Sequence, residues 1–291
     1  MKENKIQIYE IKKGNSFRVK DIFECGQCFR WNEIEKNKYI GIFKNNVVEV
    51  SETEKTIKFE GIFDGDIEEK INRYFDLNRN YDEIKEELSE IDEFMKESIK
   101  YGKGIRLLNQ DLWETIISFI ISANNNIPRI KGIIERISEK YGNEIEYKNK
   151  KYYTFPTPEE LRNVSVEDFR KLGLGFRDIR LYETTRMILN NEVDLKSLEK
   201  LKDTEEIRNE LLKLPGVGPK VADCILLFSE LKRLDVFPID VWVRRVMNEL
   251  YIKNDDESKV SKKQIEKLAK EKFGNLEGIA QQYLFYWRRE L

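Results

Sequence analysis

Leu214-Pro215-Gly216-Val217-Gly218-Pro219-Lys220 joins two helical segments through a short glycine turn, and it restricts the fold more than any other run in the chain. Before it, Thr204 to Lys213 reads as an amphipathic helix with Ile207, Leu211 and Leu214 on one face, and after it Val221 to Leu227 continues helically. The unit is helix, hairpin, helix. Gly216 and Gly218 permit positive φ and close backbone approach, while Pro219 suits the first helical position, where a missing N–H costs nothing. Lys220 then falls in the first turn. Unpaired N–H groups and the helix dipole there favour the neutral amine and lower a lysine's pKa, more so if it is buried. A neutral lysine attacks carbon and a protonated one cannot, so Lys220 is a candidate nucleophile. Taken alone, such a turn is more simply a structural hairpin with a solvated lysine. A Walker phosphate loop is excluded, because Pro219 separates Gly218 from Lys220 and Val221 follows. A dinucleotide fingerprint lacks its glycine at 221, and Gly173-Leu174-Gly175 fails the same test at Asp178.

At 291 residues the chain can form one large domain or two ordinary ones, and two are favoured. Charged residues make up 36%, but Lys+Arg 52 against Asp+Glu 54 leave a net charge of -2. Nucleic acid could therefore be held only by a local basic patch and backbone N–H groups. No apolar run is long enough to span a membrane, and Met1 to Lys5 lacks a signal-peptide core, so a cytosolic protein is expected. Cys25-Gly26-Gln27-Cys28 has CxxC spacing, but with Cys224 as the third cysteine and no histidine in the chain, zinc lacks its remaining ligands. Lys, Asp, Glu, Cys or Tyr must do any chemistry.

The expected fold class is α+β. Ile6 to Ile11, Phe17 to Ile22, Cys28 to Trp31, Tyr39 to Phe43, Val47 to Val50 and Ile57 to Phe59 read as strands of an antiparallel sheet. From Asp66 the period turns helical, through Tyr81 to Leu88 and Ile91 to Ile99, and a boundary is placed near residue 100. This gives an N-terminal sheet domain with helices over 1–100 and a mostly helical domain over 101–291. Helices are expected at Leu112 to Ser122, Ile127 to Tyr141, Glu159 to Val164, Val166 to Leu172, Ile179 to Leu189 and Val241 to Tyr251. Thr157 and Ser165 open capping boxes, and Gly142 and Gly173 sit at helix stops. Ile130, Ile133, Ile134, Ile137 and Tyr141 form a core face.

Twenty residues past Lys220, Phe237-Pro238-Ile239-Asp240-Val241-Trp242 puts an aspartate at a helix N-cap. A structural cap is the simpler reading. An ionised carboxylate beside a neutral lysine nevertheless suits glycosidic cleavage, stabilising positive charge on the sugar while the amine takes C1′. Lys220, its hairpin and Asp240 stand in the order of the helix-hairpin-helix DNA glycosylase superfamily, which the chain resembles. The blocks Glu24 to Trp31, Gly104 to Asp111, Ser122 to Ile130, Leu172 to Arg177 and Gly278 to Phe285 resemble its 8-oxoguanine DNA glycosylase/AP lyase branch.

That resemblance implies a bifunctional enzyme of base-excision repair that flips 8-oxoguanine from double-stranded DNA, prefers cytosine opposite, and nicks 3′ of the abasic site after a lysine Schiff base. It implies a monomer, cytoplasmic and nucleoid-associated in a bacterium or archaeon. Gly26 would offer a carbonyl to N7–H of the lesion, a contact guanine's bare N7 cannot make. Cys224 would stack on one side of the base and Phe285 on the other, with Gln281 at the base edge. Asn124 would fill the space left by the flipped nucleotide, Arg129 and Arg177 would read the opposite cytosine, and Phe176 would wedge into the duplex. Phe176 replaces the family's tyrosine, and Trp242 replaces a histidine near a phosphate. Gly216 and Gly218 would meet the DNA backbone. The carbonyls of Leu212, Leu214 and Val217 would hold a monovalent or divalent structural cation, with no cofactor required for catalysis. An alkylated-base glycosylase of the same fold would ordinarily lack the lysine, and the iron-sulfur branch would need four C-terminal cysteines. A non-enzymatic DNA-binding protein would have no use for Lys220 with Asp240.

Overall fold

The computed structural model describes residues 5–289; residues 1–4, most of the segment inspected for a signal peptide, lie outside the described residues, as do 290–291. Strands β1 (Gln7–Lys12), β2 (Trp31–Glu35), β3 (Lys38–Phe43), β4 (Asn46–Glu52) and β5 (Thr56–Ile62) form an antiparallel sheet in the order β1-β5-β4-β3-β2. Helix α1 (Val19–Glu24) lies between β1 and β2. The sheet packs against α1 and α2 (Ile67–Tyr74) over an aromatic core in which Phe23 stacks on Trp31 at 4.1 Å and Phe43 on Tyr74 at 4.0 Å.

The rest is mainly helical. Helices α3 (Tyr81–Ser89) and α4 (Glu93–Tyr101) lead into α5 (Leu112–Ser122) and α6 (Ile127–Tyr141), followed by a hairpin of β6 (Glu144–Tyr147) and β7 (Lys150–Tyr153). Next come α7 (Val166–Lys171), α8 (Asp178–Leu189), α9 (Leu195–Leu198), α10 (Thr204–Leu211), α11 (Pro219–Phe228), α12 (Val241–Met247), α13 (Lys262–Phe273) and α14 (Glu277–Arg289). Helices α5 and α11 are buried almost all round and form the centre of the second core, into which α3 and α4 also pack. No helix among the described residues is long and apolar enough to cross a membrane.

Four expectations need correction. Phe17 to Ile22 is not a strand: Val19, Ile22 and Phe23 fall on one face of α1 and are all buried. Burying each contributes about 1.5–3 kcal/mol, more than the fractions of a kcal/mol by which β-branched residues disfavour a helix. Cys28 to Phe29 precedes the strand, which begins only at Trp31, because Gln27 ties this stretch to a neighbouring segment instead of a ladder. Glu159 to Val164 forms turns. Its capping box is made, with Thr157 N donating to Glu160 at 2.7 Å, but only Leu161 and Val164 are buried, too little to sustain a helix. Helix α12 stops at Met247 and passes into a π-turn over Asn248–Ile252. The hairpin β6–β7 was not expected; Lys148 and Asn149, with φ of 51° and 60°, make its two-residue turn.

Candidate active site

Helix α11 begins immediately after the hairpin. Gly216 holds φ +89°, and a Cβ there would sit 2.8 Å from the Arg180 side chain and 3.2 Å from Ile120, so the position needs glycine. Gly218 instead is an extended N-cap with open space beside it and does not use the positive φ that glycine permits, and Pro219 fills the first helical position. Lys220 follows half-buried, its Nζ 5.7 Å from the Phe119 ring centroid. One turn on, Cys224 is buried within hydrogen-bonding reach of the amine. Asp240 caps α12 through Val243 N at 2.8 Å, and its charge acts on Lys220.

The lysine's pKa corrects the expectation from the helix end. It is raised, first by the Cys224 sulfur, with burial pulling downward and the Asp240 carboxylate adding to the rise. Two close partners that favour the ammonium outweigh a dipole at one helix terminus. Burial raises the Cys224 thiol, while the charge of Lys220 beside it pulls the other way.

Gly26 holds φ +91° and faces α14: a Cβ there would meet Arg289 at 3.4 Å and the Phe285 ring at 3.5 Å. Gln281, one turn before Phe285, is buried with an Oε1 that has no hydrogen-bond partner among the described residues. A buried amide oxygen without a partner is costly unless a ligand satisfies it. The Gly26 turn is braced by buried Gln27, whose amide donates to the carbonyls of Ile22 (2.9 Å) and Arg106 (2.8 Å) and accepts from Leu108 N (2.8 Å). Gln110 donates to the Gln27 carbonyl at 2.7 Å and to Phe228 O at 3.0 Å, joining this turn to the end of α11. Phe29 packs edge-on against Phe119 at 5.6 Å, the ring that Lys220 faces.

A second group surrounds the loop between α5 and α6. Asn124 is exposed at φ +51°, and Arg177 donates to its carbonyl at 2.9 Å and to Ala123 O. Arg177 is buried, with burial and then the charges of Arg129 and Arg180 lowering its pKa. Arg129 is exposed and reaches Gly173 O at 3.3 Å. None of these three arginines has an ion pair among the described residues, so a chain of nearly balanced charge carries a local positive patch. Phe176 stands 55% exposed above it, flanked by the guanidinium groups of Arg177 at 4.2 Å and Arg180 at 5.1 Å. Trp242, 51% exposed in the first turn of α12, carries Arg245 over its ring at 5.6 Å.

The structure thus brings Lys220, Cys224 and Asp240 together, Gly26 with Phe285, and Asn124, Arg129, Phe176 and Arg177 around adjoining loops. Sequence reasoning gave no role to Gln27, Gln110, Gln282 or Arg289. Gln282 donates to the Cys25 carbonyl and Arg289 to the Glu24 carbonyl. Their spacing of two helical turns was the available signal.

Residues 9–116 match the family described as 8-oxoguanine DNA glycosylase, N-terminal domain, and residues 117–274 match the HhH-GPD superfamily base excision DNA repair protein. The N-glycosylase/DNA lyase of Saccharomyces cerevisiae is 33% identical over 257 residues, 79% of this chain and 67% of the relative. The Arabidopsis thaliana N-glycosylase/DNA lyase OGG1 is 29% identical, covering 90% of this chain and 75% of the relative. The Clostridium acetobutylicum 8-oxoguanine glycosylase/lyase, solved with double-stranded DNA containing cytosine opposite 8-oxoguanine, superposes with a TM-score of 0.89 at 45% identity, over 97% of this chain and 98% of that one. The chain belongs to the 8-oxoguanine DNA glycosylase/lyase family of the helix-hairpin-helix superfamily.

Proposed function

We propose that this chain excises 8-oxoguanine from double-stranded DNA, with cytosine preferred opposite, and then nicks the strand, using Lys220 as nucleophile and Asp240 as electrostatic partner. The observation that carries this reading is the meeting of one half-buried lysine with Cys224 and a helix-capping carboxylate behind the hairpin. Lys220 rests as an ammonium, so it gives up a proton before its Nζ bonds to C1′. The C1′–N9 bond breaks, its electron pair leaves with the base, and the base takes up a proton. Asp240 stabilises positive charge on the sugar as that bond lengthens. The bonded nitrogen loses a proton, its lone pair breaks the C1′–O4′ bond, and O4′ takes up a proton, so the sugar ring opens to leave an iminium on Lys220. Loss of a C2′ proton then expels the 3′ phosphate, which is the nick.

The extruded base would lie between Cys224 and Phe285, with the Gly26 carbonyl at N7–H and the Gln281 amide at its edge. Asn124 would occupy the gap in the duplex, Phe176 would wedge beside it, and Arg129 and Arg177 would face the opposite base. Gly216, Gly218 and Trp242 would lie along the backbone. The Leu214 carbonyl accepts Val217 N at 3.0 Å, leaving a lone pair, and those of Leu212 and Val217 accept no hydrogen bond recorded among the described residues. These three carbonyls would hold a monovalent or divalent cation, which would help hold a DNA phosphate. The chain would act as a monomer on nucleoid DNA in the cytoplasm, through residues 1–100 and 101–291 acting as two domains. Duplexes with 8-oxoguanine opposite C, A, G and T test the proposal: release fastest opposite C and accompanied by nicking is expected, and no release from any of the four contradicts it.

A further inference from the structure

A glycine with φ +91° has no side chain to fix its orientation, so the direction of the Gly26 carbonyl depends on what grips the neighbouring peptides. On the C-terminal side the grip is Gln27 and Gln110. On the N-terminal side both donors come from α14: Gln282 holds the Cys25 carbonyl and Arg289 the Glu24 carbonyl at 2.5 Å. They lie seven residues apart, two helical turns along one stripe. Gln281 and Phe285 occupy the neighbouring stripe. Arg289 does more than donate. Its guanidinium carbon is 5.6 Å from the Phe285 ring centroid and 5.9 Å from that of Tyr286, and Nη1 lies 3.4 Å from where a Gly26 Cβ would be. One planar group therefore touches both the turn that carries the carbonyl and the ring that faces it.

We propose that Arg289 is a positioning residue for lesion recognition: it sets the orientation of the Gly26 carbonyl and the Phe285 ring, and through them the discrimination between 8-oxoguanine and guanine. The proposal rests on the reading of Gly26 as the acceptor of N7–H. Guanine turns a lone pair toward that carbonyl where the lesion turns a donor, so the penalty on guanine depends on where the carbonyl points. Lysine keeps the charge and can still donate to a carbonyl but lacks the planar fork that lets arginine bond a carbonyl and stack on a ring together.

The test uses Lys220→Gln protein to measure Kd for duplexes carrying 8-oxoguanine or guanine opposite cytosine, with and without Arg289→Ala or Arg289→Lys. With Lys220 intact, the same Arg289 variants are assayed for nicking of abasic-site DNA, which contains no base to recognise. Arg289→Ala should lower the affinity ratio of 8-oxoguanine to guanine about tenfold, on the order of one misplaced hydrogen bond, with abasic nicking near wild type. Arg289→Lys should give an intermediate ratio, and it carries the test if the alanine variant does not fold. An unchanged ratio in folded variants overturns the proposal alone. If protein with Arg289 intact binds both duplexes equally, the reading of Gly26 fails and the proposal with it.

Discussion

Lys220 illustrates how a candidate can be reached by a reason that the folded chain reverses. The sequence placed it in the first turn of α11, where the helix end should favour the free amine; the folded chain adds Cys224 and Asp240, which favour the ammonium. The rate of base excision should therefore rise with pH as the amine loses its proton. Cys224→Ala removes the largest cause of the raised pKa, so the acid side of its pH–rate profile should move to lower pH; an unmoved or alkaline-shifted profile would show that the sulfur does not govern this proton. Asp240→Asn keeps a cap for α12 but loses the charge, so excision should fall by about a hundredfold or more while lesion binding stays within a few fold. Excision at the wild-type rate would leave Asp240 as a cap only. Arg129→Ala should relax the preference for cytosine, by about 1 to 3 kcal/mol if it contacts the base directly. Equal losses opposite all four bases, with a shallower salt dependence, would mark it as a phosphate contact. Arg177→Ala should cost more overall, because its guanidinium also holds the carbonyls of Ala123 and Asn124.

Elements with capped ends and a regular apolar face were legible: α5 and α6 have the boundaries read from Leu112 to Ser122 and Ile127 to Tyr141. Short apolar runs were not. Phe17 to Ile22 fits a strand or a helix equally well, and only packing against the sheet decides for α1. The helix-hairpin-helix could be read because its turn is local chemistry. The grip on the Gly26 turn could not, since Gln27, Gln110, Gln282 and Arg289 act on backbone far away in the chain. Gly216→Ala should test the hairpin's strain: it forces a Cβ into a positive-φ site and onto Arg180 and Ile120, with an expected loss of about 1–2 kcal/mol in stability and weaker binding to any duplex. Unchanged melting and affinity would mean that the turn relaxes freely.

The molecule carries almost no net charge, and the proposed contact with DNA falls on a patch in which Arg129, Arg177 and Arg180 surround the exposed Phe176. Elsewhere burial leaves carboxyl groups poorly solvated. Asp223 and Glu277 are both raised to about 7, chiefly by burial. Between their ordinary values and about pH 7 the folded chain holds protons that the unfolded chain has released, so these groups make stability fall as pH rises through that window. Thermal melting at pH 5 and pH 8 should show part of this fall, and Glu277→Gln should reduce the difference; an identical difference in variant and wild type would exclude a contribution from that carboxyl. The patch and the buried carboxyls are only the setting for the chemistry assigned to one amine. Borohydride reduction during reaction with an 8-oxoguanine:cytosine duplex reads that assignment directly. Wild type should become covalently bound to the DNA, while Lys220→Gln should bind the duplex yet form no adduct and release no base; an adduct from the variant in wild-type yield would contradict Lys220 as the nucleophile.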